Sequence, residues 1–315
     1  MKRYLFFLIL FALPLSAEML IRTKVAMGTF ASISLMEQDK KYFLPAFDII
    51  KDVELSLSSY NQNSPIFRLN KNKKVKLDTL SYEALSLSKN YHKRTNGYFN
   101  IAIGSVTKDL YKFGEDESLP TQEALQNSET SLVSLVFDKE NAKIAENIKI
   151  DLGGMGKGFG VDKTMEFLSS RGVKKAIVAL SGDIRCLESC SIEIQNPFKK
   201  QALARFETQK QEMGISTSGN YNRYVKDKRN NHLINPKTKQ SQKSFASITL
   251  ISKLPNSDLD AYATAASVMP QEQAYSFLDS LELAYVVVEV DKSVVVSKNI
   301  ELFVKSLFFY DRDKE

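Results

Sequence analysis

The stretch from Ile150 to Asp162 reads IDLGGMGKGFGVD, and it narrows the possible folds more than any other part of the chain. Gly154, Gly156, Gly158 and Gly160 alternate with other residues, and Gly153 stands just before them. Upstream, Ile148, Ile150 and Leu152 alternate as the apolar side of a strand. Downstream, Val161, Met165 and Leu168 fall on one helical stripe that closes at Gly172. Strand, glycines, helix is a recipe for holding phosphate. A helix N-terminus presents unpaired N–H groups and positive potential, and glycine lets a ligand approach the backbone. The common nucleotide templates fail here. G-x-G-x-x-G read from Gly154 places Phe159 at the third glycine, and read from Gly156 it places Val161 there; Gly156-Lys157 is followed by Gly158, not Ser or Thr. The competing reading of the same residues is tight packing of the strand against the helix.

The 315 residues are 43% hydrophobic, enough for a large core. TFASISL (29–35) alternates as a strand with Ala31, Ile33 and Leu35 on one face. Phe43, Phe47, Ile50, Val53 and Leu57 form one helical stripe, and Leu80, Ala84, Leu87 and Tyr91 form another, capped by Asp78 and ended by Asn96-Gly97. VSLVF (133–137) and IKIDL (148–152) read as strands, as do AIVAL and SITLIS (247–252). A helix is expected near 258–268 and another after Pro270. LAYVVVEV-DK-SVVVS reads as a hairpin with a two-residue turn. Strands and helices alternate too irregularly for a doubly wound sheet, so the expected class is α+β with largely antiparallel or mixed sheets.

Lys2 and Arg3 precede an apolar run, Tyr4 to Leu15, and Leu15-Ser16-Ala17 offers small residues before Glu18. This is the pattern of a secretory signal peptide over residues 1–17, with one domain expected over 18–315. The run is shorter than the roughly 20 residues a spanning helix needs. The expected location is therefore outside the cytoplasm, in a periplasm, soluble or peripheral to the inner membrane, without lipid attachment because no Cys lies near the cleavage point. Losing residues 1–17 lowers the formal charge of +6 by two. The remaining lysines are scattered, and no basic groove with interleaved aromatics argues for nucleic acid. Cys186 and Cys190 are the only cysteines; they form either a small disulfide across a hairpin or two free thiols. His92 and His232 do not lie at zinc-ligand spacing from them.

Two further clusters carry chemistry. In DLDAYATAA (258–266), Asp260 and Thr264 are four apart, so a helix points a carboxylate and a hydroxyl to the same side. That pair suits Mg²⁺, which takes one or two protein carboxylates and completes its shell with phosphate and water. Helix capping by Ser257 or Asp258 over a buried Thr is the plainer alternative. In GISTSGNYNRYV (214–225) and HLINP (232–236), hydroxyls, small residues and His232 converge on what reads as a hairpin.

Together with MGT (27–29), SSYNQNSPIFRLN (58–70), GYFNIAIG (97–104), DLGGMGKGFGVD and SGDI, these clusters give the chain a resemblance to the ApbE-like FAD:protein FMN transferases, in order and over nearly all of residues 18–315. The resemblance implies Mg²⁺-dependent transfer of FMN from FAD to a Thr or Ser hydroxyl of an exported acceptor, with release of AMP. It implies that Asp151 and Lys157 contact FAD, and that the Gly154 carbonyl, Asp260 and Thr264 bind the metal. Tyr60, Tyr98, Phe99, Asn100, Leu233 and Ile234 would shape the flavin and adenine pocket, with Met27 near it. His232 matches the family histidine and is the first candidate for general acid or base, with Asp183 the second. The implied acceptor carries a motif of the Ser-Gly-Ala-Thr kind, as in a flavin-carrying redox subunit. The chain departs from the family where Asn100 and Asn235 replace Asp, and where Ser181 and Lys239 replace Gly. Two alternatives stand beside transfer: metal-dependent FAD pyrophosphatase activity, with water as acceptor, and a flavin-binding carrier without turnover.

Overall fold

The computed structural model describes residues 19–209, 212–221 and 223–310. The expected signal peptide lies outside the described residues. Its frame is an eight-stranded sheet in which every neighbouring pair is antiparallel. The strands are β1 (Met19–Ala26), β2 (Thr29–Met36), β3 (Ala176–Leu180), β4 (Asp183–Cys186), β7 (Met213–Gly219), β8 (Phe245–Ser252), β9 (Ala284–Glu289) and β10 (Val294–Val296), in the spatial order β1-β2-β3-β4-β7-β8-β9-β10. A second sheet, β11-β6-β5, is built from β5 (Ser191–Gln195), β6 (Ala202–Thr208) and β11 (Val304–Phe309). The class is α+β.

Helices α1 (Phe43–Leu57), α3 (Gly156–Ser170) and α4 (Asn256–Val268) cover one face of the large sheet. Ala31, Ile33 and Leu35 of β2 pack there against Phe43, Phe47 and Ile50 of α1 and against Val161, Met165 and Leu168 of α3, as the two periodicities require. α2 (Thr79–Arg94) starts with a reciprocal capping box between Asp78 and Ser81 and ends in the left-handed pair Asn96-Gly97. Its buried stripe sits one position round from the expected one. Ala84 and Tyr91 are buried with Ser81, Leu85 and Ser88, while Leu80 and Leu87 are half-buried. α5 (Gln271–Asp279) follows Pro270 as expected. Among the described residues no helix is long and apolar enough to cross a membrane. Cys186 and Cys190 are joined in a disulfide between β4 and β5.

Four local expectations fail. Residues 133–137 contain a turn of 3₁₀ helix, Leu132–Ser134, and only Val136–Phe137 is strand. IKIDL is extended and buries Ile148, Ile150 and Leu152, but it joins no sheet beyond one bridge from Lys149 to Ile103. Side chains satisfy its backbone instead: Asn70 donates to the Ile150 carbonyl at 2.8 Å and accepts from the Ile150 N–H at 2.6 Å. The hairpin between β9 and β10 has a three-residue loop, Val290–Lys292, because the Glu289 N–H donates to Ser293 and Lys292 takes φ 76°. Residues 214–219 likewise pair with β4 and β8, not with 232–236, and the segment around His232 closes through a Tyr224–Asn231 bridge.

Candidate active site

The glycine run turns out to serve closeness. None of Gly153 to Gly160 has a positive φ. A Cβ on Gly158 would sit 2.2 Å from the Asn256 carbonyl oxygen, so only glycine lets α3 rest directly on the first turn of α4. One turn later, Asp162 accepts from the N–H groups of Asn256 at 2.7 Å and Ser257 at 2.8 Å. The cap of α4 is thus a carboxylate from α3, not Ser257 or Asp258; Asp258 accepts from the Tyr91 hydroxyl. Packing and site construction are one event, since the same crossing brings the first turn of α3 against Asp260.

Lys157 occupies the centre of this floor. Its Nζ lies 2.8 Å from Asp183 Oδ2 and 3.2 Å from Asp260 Oδ2, and Asp260 Oδ2 also accepts from the Gly158 N–H at 3.1 Å. Asp183 is 1% exposed, and its Oδ1 accepts from the Ser216 hydroxyl at 2.5 Å. Its Oδ2 meets the charge of Lys157 but has no aligned hydrogen bond among the described residues. Burial and the neighbouring Asp260 charge push Asp183 up to about 7, against the pull of Lys157. Burial alone would lower Lys157, but Asp183 and Asp260 outweigh it and hold the ammonium above its ordinary range.

Beside this group stands a set of oxygen donors. Asp260 and Thr264 lie one turn apart on α4, with Thr264 Oγ1 3.5 Å from Ser218 Oγ. A Cβ on Gly154 would meet Thr264 Cγ2 at 3.0 Å and Oγ1 at 3.4 Å, so glycine brings this backbone against the hydroxyl. Because the Gly158 N–H turns to Asp260, the Gly154 carbonyl accepts from no donor among the described residues. An orphaned carbonyl, a carboxylate and a hydroxyl fit a hard, oxygen-seeking cation such as Mg²⁺. No three His, Cys, Asp or Glu side chains cluster as a metal site among the described residues.

The floor opens into a cleft of about 1190 Å³, larger than the ~300–1,000 Å³ of most small-molecule sites. Met27, Tyr60, Tyr98, Phe99, Asn100 and Asp151 line it, as do Gly154, Lys157, His232, Leu233, Ile234, Asp260 and Thr264. Asp183 alone among the expected site residues lies beneath the lining, which makes it a support for Lys157. Asp151 accepts from the Gly153 N–H at 2.9 Å and the Thr107 hydroxyl at 2.8 Å, with Lys108 at 3.6 Å. Burial alone would raise its carboxyl, but Lys108 and these donors bring it below the ordinary value.

His232 lines the same cleft, half-buried. Its Nδ1 lies 3.1 Å from the Arg223 carbonyl, which can only accept; Nδ1 therefore carries the proton and Nε2 keeps a lone pair. Crowding by protein and the Arg223 charge push the imidazolium down to about 4. Arg223 in turn donates to the Phe113 carbonyl at 2.9 Å and to the Tyr60 hydroxyl at 3.2 Å, and Lys108 also meets that hydroxyl. Sequence reasoning missed Thr107 and Lys108 as partners of the site; Ser216 and Arg223 lay within the quoted segment 214–225, but no spacing signal paired either with its partner.

The four departures have physical accounts. Ser181 and Lys239 take φ 57° and 59°, the left-handed region that favours glycine. Asn100 donates to the Thr130 carbonyl at 2.8 Å, and Asn235 donates to the Val268 carbonyl at the end of α4 at 2.7 Å. An ionised Asp could make neither bond.

The ApbE family model matches residues 27–287. The chain belongs to the ApbE family. A Haemophilus influenzae protein named FAD:protein FMN transferase is 27% identical over 277 residues, covering 80% of this chain and 79% of its own. A Vibrio cholerae protein of the same name is 24% identical, covering 85% and 86%. Among solved structures, the flavin transferase ApbE of Vibrio cholerae superposes with a TM-score of 0.78 at 21% identity, covering 91% of this chain and 99% of that one. The ApbE protein of Thermotoga maritima gives 0.82 at 20% identity, with the same coverage. At these identities the two structures establish the fold alone.

Proposed function

We propose that this ApbE-family protein transfers FMN from FAD to a Thr or Ser hydroxyl of an exported acceptor protein and releases AMP, acting as one unit over residues 18–315. The observation that carries the reading is the convergence, in one cleft, of the Asp260, Thr264 and Gly154 oxygens with Lys157 and a neutral His232. The acceptor oxygen forms a bond to the FMN-side phosphorus, the bond from that phosphorus to the AMP oxygen breaks, and the acceptor proton passes to a base. His232 Nε2 is the candidate base, since a lone pair is available there above about pH 4. Lys157 places positive charge where the pyrophosphate oxygens gather negative charge, and Asp183 fixes its position. Mg²⁺ bound to Asp260, Thr264 and the Gly154 carbonyl would neutralise pyrophosphate charge. Tyr60, Tyr98, Phe99, Asn100, Leu233 and Ile234 are the walls against which flavin and adenine pack, with Met27 and Asp151 at their edges.

The signal-like residues 1–17 and the disulfide between Cys186 and Cys190 support export to an oxidising compartment, in our reading the periplasm. The partner is then a flavin-carrying redox subunit or similar protein with a Ser-Gly-Ala-Thr-like motif. The test incubates residues 18–315 with FAD and Mg²⁺, with and without a purified acceptor carrying that motif, following AMP by chromatography and the acceptor by intact mass. An FMN-sized gain that needs metal supports the transferase. AMP and free FMN without labelling would replace it with a pyrophosphatase, and intact bound FAD with a carrier.

A further inference from the structure

The sheet face opposite α1, α3 and α4 is covered over only part of its width. The β11-β6-β5 sheet packs Ile192, Ile194 and Phe206 onto Ile215, Ile251 and Val286. Cross-strand partners share a face, so the register can be followed outward from Ile215 through Ile184, Ala179 and Ser32 to Thr23. On this continuation Ile21, Val25 and Phe30 are 68%, 75% and 68% exposed. Arg22 and Lys24 point the other way, onto the rings of Phe43 and Phe47.

β5 forms one edge of the covering sheet. The Thr208 N–H donates to the Cys190 carbonyl at 3.0 Å, so antiparallel alternation turns Cys190 and Ile192 toward β6, and Ser191 and Glu193 away from it. No hydrogen bond from the described residues reaches the outward backbone groups of Ser191 and Glu193. This open edge adjoins the reaction cleft, because residues 192–195 line it together with Ser181, Gly182 and Ile184.

We propose that the hydroxyl-bearing segment of the acceptor docks as an extended strand on the free edge of β5. Its inner side chains cover Ile21, Val25 and Phe30, and its hydroxyl reaches Lys157 past the Ser181-Gly182 turn. The proposal rests on the transferase reading, which requires a second protein at this cleft. Edge pairing supplies affinity through backbone groups, so it accepts varied sequences around one hydroxyl.

Two measurements test it on the chain 18–315 with FAD and Mg²⁺. The first is amide hydrogen exchange of residues 191–195 with and without a peptide containing Ser-Gly-Ala-Thr; protection on peptide addition is expected. The second is acceptor-dependent labelling by Glu193→Pro, which removes an outward N–H that β6 does not use, and by Phe30→Lys on the uncovered strip. Each should raise the acceptor KM about tenfold or more, while Phe30→Lys keeps kcat, and FAD affinity read by flavin fluorescence, within twofold. Labelling without protection, or with unchanged KM in both variants, overturns the docking proposal alone. Protection without labelling overturns the transferase reading alone, and absence of both overturns the two together. Protection that grows with protein concentration and needs no peptide would assign the edge to a second copy of this chain and overturn the proposal.

Discussion

The floor and the rim of the cleft are built differently. On the floor, the crossing of α3 and α4, two helices that touch backbone to backbone at Gly158, holds Lys157 and Asp260, and the first residue of β4 sets Asp183 against Lys157. On the rim, Tyr60, Lys108, Arg223 and His232 come from loops and hold one another through side chains reaching carbonyls and hydroxyls. Helices packed on a sheet can keep two buried carboxylates beside one ammonium, where a small displacement would leave a charge unpaired. Loops cannot supply that precision, but they can adapt to a large ligand.

The sharpest way to break the contrast is at the contact that makes the floor. Asp260→Ala should lower kcat/KM for AMP release about 10³-fold, by analogy with loss of one strong transition-state contact, and an unchanged rate would remove Asp260 from the chemistry. Gly158→Ala should cost about 3 kcal/mol in denaturant unfolding, because a backbone carbonyl at 2.2 Å cannot step aside. Gly156→Ala, whose Cβ would meet only Met27 Cε at 3.7 Å, should cost less than ~1 kcal/mol. Equal costs would refute the reading of the glycine run as helix contact.

The pH response should separate the two regions by sign. Asp183 is raised to about 7 from an unfolded value near 3.8, so its contribution to stability is present below 3.8 and is lost as pH rises through about 7. His232 is depressed to about 4 from 6.5, so its contribution is present above 6.5 and is lost as pH falls through about 4. Relative to wild type, Asp183→Asn should gain stability as pH rises between those limits, and His232→Asn should gain as pH falls. Unfolding curves at pH 4, 5.5 and 7 read both. The smallest effect is expected at the turn between floor and rim: Ser181→Gly should raise stability by ~0.5–1 kcal/mol by relieving its left-handed backbone, visible as a modest rise in Tm.

Much of this was legible before any coordinates. The spacing of Phe43, Phe47, Ile50 and Val53 identified α1, Asp78 marked the start of α2, and the Asp260/Thr264 pair lay on a helix as its interval required. IKIDL misled because alternation reports burial on one side, not pairing, and here Asn70 stands in for a neighbouring strand. Lys108, and the pairing of Ser216 with Asp183, were hidden because a residue that meets its partner across the fold leaves no periodic trace. The departures at Asn100 and Asn235 needed the structure too, since their amide donors find carbonyls 30 and 33 residues away in sequence.

Local pattern alone determined the main helices, the α+β class and which residue types could meet phosphate or a hard cation, because those follow from periodicity, capping and residue chemistry. Only the tertiary structure decided that the glycines serve a helix crossing, that Asp183 lies below Lys157, and that His232 is held neutral. Each depends on distances between segments remote along the chain, and burial and charge act through space.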